Sequence, residues 1–204
     1  MRNYLMEFIG TMFLVLAIGF SNNPLAIGLM LMAMVYMGGH ISGGHYNPAV
    51  TLAVFIRGKI EGKFVAGYMI SQVLGAFTAA LIFYLINSHS FYPAPAEGVV
   101  LWKTILLELI FTFALCSVVL ATATNETISG NYIYGLAIGL TVTASAYSVG
   151  SITGGAFNPS VFLGPMLMDV ITGGTSYNHL LLYLIGPFSG GVLAAIVYKY
   201  LNKN

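Results

Sequence analysis

Long apolar runs separated by short polar breaks recur six times along the chain, at Tyr4–Phe20, Pro24–Gly39, Lys63–Asn87, Leu101–Thr124, Tyr132–Val149 and Tyr177–Leu201. Runs of about 20 residues fit the ~30 Å hydrocarbon core of a bilayer when coiled as α-helices. Ser21-Asn22-Asn23-Pro24 reads as a tight turn between the first two, and Thr124–Asn131 links the fourth and fifth. Asn87–Gly98, with Pro93 and Pro95, is the longest polar connection. Two more apolar pieces, Pro48–Ile56 and Pro159–Met168, are helical in composition but only nine or ten residues long. At about 1.5 Å per residue each reaches roughly 14 Å, half of a bilayer. The pattern predicts an all-α membrane protein with six transmembrane helices and two re-entrant half-helices. Non-helical backbone such as Ser42-Gly43-Gly44-His45 is tolerated at membrane depth only where it lines a water-filled cavity, so the pattern also predicts a pore.

The chain repeats itself. Gly38–Val50 reads GGHISGGHYNPAV, and Gly150–Val161 reads GSITGGAFNPSV. Placing Asn47 on Asn158 gives an offset of 111 (158 − 47), which also superposes Gly43 on Gly154 and Pro48 on Pro159. The same offset lays the pentapeptide Leu25–Leu29 on an identical Leu136–Leu140. Fixed-offset identity of this kind marks an internal duplication. It divides one channel domain, residues 1–204, into halves of about 1–98 and 99–204.

Charge fixes the predicted orientation. Arg2, Arg57, Lys59, Lys63, Lys199 and Lys203 share one face if both termini are cytoplasmic, with Lys103 the lone exception; this is a positive-inside pattern. Three spans per half then make the second half an inverted copy, and the two half-helices enter from opposite sides to meet at the midplane. Only 6% of residues are charged, against roughly 25% in soluble domains, and 58% are hydrophobic. The net charge of +1 and the lack of a basic cluster exclude nucleic acid as a partner. The single cysteine, Cys116, lies in an apolar run and reads as buried packing.

Asn47 and Asn158 are placed to cap the half-helices, with Pro48 and Pro159 in the first turn, where a missing N–H costs nothing. Each half-helix presents about half a positive charge at its N-terminus, so two facing ends oppose cations and protons. If each asparagine oxygen is held by backbone, its amide hydrogens point into the lumen. Carbonyls of Gly43, Gly44 and His45, and of Gly154, Gly155 and Ala156, would supply acceptors along the two approaches.

On these residues the chain resembles the aquaporins of the major intrinsic protein family, over essentially its whole length. GHISGGHYNPAVTLA is close to the family's first signature, and TGGAFNPSVFLGP is a drifted second one with Ser160 in place of alanine. Gln72–Ala76 and Gly186–Gly191 match motifs of the third and sixth spans, and Glu7 and Glu108 match buried carboxylates of the first and fourth. The resemblance implies a homotetramer in the cell membrane with one pore per subunit. It would pass water and small uncharged solutes passively and need no cofactor.

The family usually carries arginine where Val161 stands, in a narrow ring with three other residues. Counted in register, those fall on Ile27, Ala146 and Gly155. Such a ring is wide, apolar and uncharged, and a polar site rejects a misfit more sharply than an apolar one. Glycerol, urea or ammonia are therefore expected to pass along with water. The exchange at Ser160 is expected to adjust pore width mildly.

Buried carboxylates in a membrane can also relay protons. An ion-coupled transporter with inverted repeats is thus the alternative, since broken helices at the midplane serve there too. The matched placement of Glu7 and Glu108, each with a threonine four residues on (Thr11, Thr112), favours bracing of the loops. His40 and His45 lack nearby cysteine or carboxylate co-ligands, so they read as loop packing and no metal is expected. No nucleophile–base pair or phosphate loop suggests an enzyme.

Overall fold

A computed structural model describes residues 1–202. Lys203, counted above in the charge asymmetry, lies outside the described residues. The helices are α1 (Arg2–Ser21), α2 (Pro24–Ser42), α3 (Pro48–Arg57), α4 (Gly62–Asn87), α5 (Leu101–Ala123), α6 (Tyr134–Thr153), α7 (Pro159–Ile171) and α8 (Leu180–Leu201), with 3-10 turns at Glu126–Ile128 and Ser176–His179. Six of the helices are long and apolar enough to cross a membrane, and α3 and α7 are the short ones. The expected all-α architecture is what the structure has.

Boundaries moved where capping chemistry decides them. α2 and α6 continue to Ser42 and Thr153 instead of stopping at Gly39 and Val149, and each ends on a left-handed glycine, Gly43 at φ 93° and Gly154 at φ 85°. A glycine at this C-terminal position carries no Cβ penalty. α7 runs through Pro165 to Ile171, three residues beyond the expected end. Asp169 fastens that end, accepting from Ser90 Oγ at 2.7 Å and from the Ser176 amide at 3.1 Å.

α1 packs on α4 and α5 on α8; α2 meets α6 at the centre; α3 lies against α8, and α7 against α4. Exchanging the first four helices for the last four leaves this pattern unchanged, and each half-helix rests on a long helix from the other half. Close approach needs small residues. Gly75 brings α4 onto the Phe8 carbonyl of α1, and Gly164 brings α7 onto Ala76 of α4; a side chain at either would overlap backbone. The small-residue pairs Gly135/Gly139 and Gly186/Gly190 likewise face neighbouring helices, the second pair lying on α5.

The Asn87–Gly98 connection is more than a boundary. The Ala96 amide donates to the Ile152 carbonyl at 3.0 Å, and Ala94 backbone packs so closely on Gly154 that no Cβ fits between them. On the other face, Lys199 Nζ at the end of α8 reaches the Ile56 carbonyl of α3 at 3.3 Å.

Candidate functional site

Two loops, Gly43–Asn47 and Gly154–Asn158, lead into α3 and α7. Each is organised by one buried carboxylate. Glu7 accepts from Ser42 Oγ (2.6 Å), the His45 amide (3.0 Å), the Tyr46 amide (2.7 Å) and Gln72 Nε2 (2.8 Å). Glu108 accepts from Thr153 Oγ1 (2.8 Å), the Ala156 amide (3.1 Å) and the Phe157 amide (2.7 Å). Both carboxylates are fully buried, and neither borders either of the two cavities that meet at the loops. Their acceptor capacity is used on donors of the loops and of the helices beside them, which is the bracing arrangement and not that of an open relay. The roles of Ser42, Thr153 and Gln72 towards the carboxylates were missed in sequence. For the two hydroxyls the signal was the repeat itself, since Ser42 and Thr153 stand at the shared offset. The flanking threonines are less alike than their spacing suggests: Thr11 Oγ1 donates to the Glu7 carbonyl at 2.7 Å, while Thr112 Oγ1 has no partner.

The asparagines sit where the repeat placed them. Asn47 Oδ1 accepts from the Ala49 amide at 2.8 Å, and Asn158 Oδ1 accepts from the Ser160 amide at 3.0 Å and from Ser160 Oγ at 2.8 Å. The amide groups depart from expectation. Asn47 Nδ2 donates to the Phe157 carbonyl and Asn158 Nδ2 to the Tyr46 carbonyl, each at 2.9 Å. One hydrogen of each amide thus ties the loops to one another, and only the second is free for the lumen. Ala49 and Ser160 are fully buried and border neither of the two cavities that meet at the loops, nor do Pro48 and Pro159. The expectation that Ser160 adjusts pore width is therefore corrected: its hydroxyl folds back onto Asn158 Oδ1.

Two cavities meet at the loops. The upper one, about 390 Å³, opens beside Asn22 and Pro93 and is bordered by Asn47, Asn158, Ile27, Ala146, Gly155 and Val161. All four residues expected in the ring thus surround one space, together with Gly44, Gly154 and Ala156. The lower one, about 1110 Å³, lies on the side of Asn3 and the Gly58–Glu61 turn and is bordered by Gly43, His40 and the Thr124–Asn131 linker. His45 borders both. Among the described residues no cluster of three or more potential metal ligands occurs.

A half-length helix from each repeat, joined tip to tip beneath a cavity on either side, is the architecture of a pore. The family model described as "Major intrinsic protein" matches residues 1–198. This chain belongs to the major intrinsic protein family. It is 37% identical over 187 residues to Aquaporin AqpM of Methanothermobacter thermautotrophicus, covering 88% of this chain and 76% of that protein. Over 100% of this chain and 99% of the relative it is 33% identical to glycerol uptake facilitator protein-like 6 of Lactiplantibacillus plantarum. Its fold superposes on the X-ray structure of the aquaglyceroporin from Plasmodium falciparum with a TM-score of 0.85 at 24% identity, over 97% of this chain and 95% of that one. Proteins of this family are passive membrane channels for water and small solutes, not enzymes, and this member is one too. The ion-coupled transporter finds no support among these relatives.

Proposed function

We propose that this member is a permissive channel of the cell membrane, with both termini cytoplasmic. It passes water together with larger neutral solutes such as glycerol, urea or ammonia. The observation that carries the reading is the ring of Ile27, Ala146, Gly155 and Val161 around the upper cavity, which has no charged side chain and no side-chain hydrogen-bond donor. A solute entering such a ring sheds water without being tested for the position of its polar groups, so discrimination there is by size alone. The facing half-helix ends, each with about half a positive charge, remain to oppose cations and protons. The likeness to a glycerol uptake facilitator-like protein along its whole length supports passage of polyols. By the same family likeness, each chain contributes its own pore to a homotetramer.

Osmotic swelling of proteoliposomes tests this directly. Water, urea and glycerol should each enter faster than into empty vesicles, with a low activation energy and no dependence on an ion gradient. Glycerol and urea fluxes no higher than in protein-free vesicles would remove the permissive reading. Native mass spectrometry of the detergent-solubilised protein decides the tetramer, a monomeric mass counting against it.

A further inference from the structure

Asp169 stands outside the repeat. At the shared offset its counterpart is Gly58 (169 − 111 = 58). There α3 closes on a left-handed glycine, φ 81°, with no acid at its end. A half-helix that closes on glycine in one half does not need a carboxylate to close in the other. The Asp169 carboxylate is nonetheless buried, and among the described residues no cation pairs with it. A charge so placed is costly unless hydrogen bonds hold it. Gly174, too close to the carboxylate for any Cβ, leaves it room.

One of its two side-chain bonds is local and the other is not. Oδ2 accepts from the Ser176 amide at 3.1 Å, seven residues on, while Oδ1 accepts from Ser90 Oγ at 2.7 Å, 79 residues away in the connection between the halves. Beyond Ser90 that connection is fastened again. The Phe91 ring packs on Gly19 and lies 4.7 Å from the Phe83 ring, and the Ala96 amide donates to the Ile152 carbonyl at 3.0 Å. Between these points stands Pro93, the one residue of the connection that borders the upper cavity. Ser90 alone of them is tied to α7, whose first turn carries Val161 of the ring. Eight residues, about 12 Å of helix, separate Val161 from Asp169. One rod thus carries a wall of the cavity at one end and the fastening of its rim at the other.

We propose that Asp169 is a positioning residue for permeation. Through Ser90 it fixes Pro93 at the rim of the upper cavity and so bounds the size of solute that reaches the ring. The proposal rests on the permissive reading of that ring, since a rim sets the size limit only where the constriction beneath it is wide.

Swelling of proteoliposomes with water, urea and glycerol, paired with hydrogen exchange of the Ala96 amide, tests it in the parent, Ser90→Ala, Ser90→Thr, Asp169→Ala and the double alanine variant. Ser90→Ala and Asp169→Ala should each lower Ala96 protection. Each should also raise the glycerol-to-water flux ratio about threefold, less than the roughly tenfold or more that one methylene is worth in a closed pocket. The double variant should add nothing, because both singles break the same bond. Ser90→Thr keeps the hydroxyl and should keep the parent's ratio and protection. A ratio does not depend on how many channels have folded, so a merely structural loss cannot imitate the change. Where the parent passes glycerol, a ratio unchanged in both single alanine variants overturns the proposal, as does a double variant whose gain is the product of the two singles. A parent that passes water but neither urea nor glycerol counts instead against the wide ring. Ala96 protection in Ser90→Ala then still decides the fastening, and protection equal to the parent's overturns it.

Discussion

Asn47 and Asn158 hold one another's loops: the side-chain amide of Asn47 donates to the carbonyl preceding Asn158, and that of Asn158 donates to the carbonyl preceding Asn47, both at 2.9 Å. The two halves are therefore joined at their tips by reciprocal hydrogen bonds, besides the caps that each asparagine makes on its own half-helix. The same residues that border the upper cavity are the ones that tie the two loops together.

Removing either asparagine should accordingly weaken the fold as well as the pore. Asn158→Ala loses a cap worth about 1 kcal/mol and leaves the buried Tyr46 carbonyl without its donor, at about 1–3 kcal/mol. A loss of roughly 2–4 kcal/mol in detergent unfolding is expected. A change below about 0.5 kcal/mol, the size of an ordinary surface substitution, would show that the reciprocal bonds do not hold the loops.

Val161 is the position at which charge can be restored to the upper ring. Val161→Arg should suppress glycerol and urea flux while sparing water, because a guanidinium narrows the ring and supplies donors that a small molecule can satisfy. Solute fluxes equal to those of the parent would mean that Val161 does not face the path.

Glu108 separates bracing from relaying. Glu108→Gln replaces one acceptor oxygen with a donor opposite the Thr153, Ala156 and Phe157 donors. The variant should lose about 1–3 kcal/mol of stability, yet its water flux per folded channel should remain indifferent to a proton gradient. Flux in the parent that follows a proton gradient, and loses that dependence in the variant, would restore the transporter alternative.

Gly164 tests the interlock of the halves. Its Cα faces the Ala76 backbone with no space for a side chain. Gly164→Val should cost about 3 kcal/mol by forcing α7 off α4, seen as a sharp fall in monodisperse protein on size-exclusion chromatography. Retention of the parent's yield and thermal stability would disprove the close contact.

At the lower mouth Lys59 pairs with Glu126 across the linker that borders the cavity. The Lys59 ammonium holds the Glu126 carboxyl below its ordinary value. A carboxyl whose folded value is depressed contributes above its unfolded value and loses that contribution as pH falls through the folded one. Protection factors of the Thr124–Asn131 amides, corrected for the intrinsic pH dependence of exchange, should therefore fall on acidification below the usual carboxylate range. Glu126→Gln should show the lower protection at neutral pH already. Equal protection at both pH values would dismiss the pair as a fastening.

Sequence alone determined the element count, the half-length helices and their capping asparagines. Span length, helix capping and an internal repeat are local or periodic properties that survive without coordinates. The resemblance to the family, counted in register from the two asparagines, pointed to Ile27, Ala146, Gly155 and Val161, and all four line one cavity. What sequence could not reach were relations between residues distant in the chain. Only the tertiary structure brought Gln72 onto Glu7 and Thr51, turned the Ser160 hydroxyl away from the lumen, and laid the Asn87–Gly98 connection over the upper mouth. The same holds for His45, read from sequence as loop packing. Its Nδ1 lies 3.2 Å from Thr51 Oγ1 of α3, a hydroxyl that Gln72 of α4 also reaches, and no local pattern encodes that.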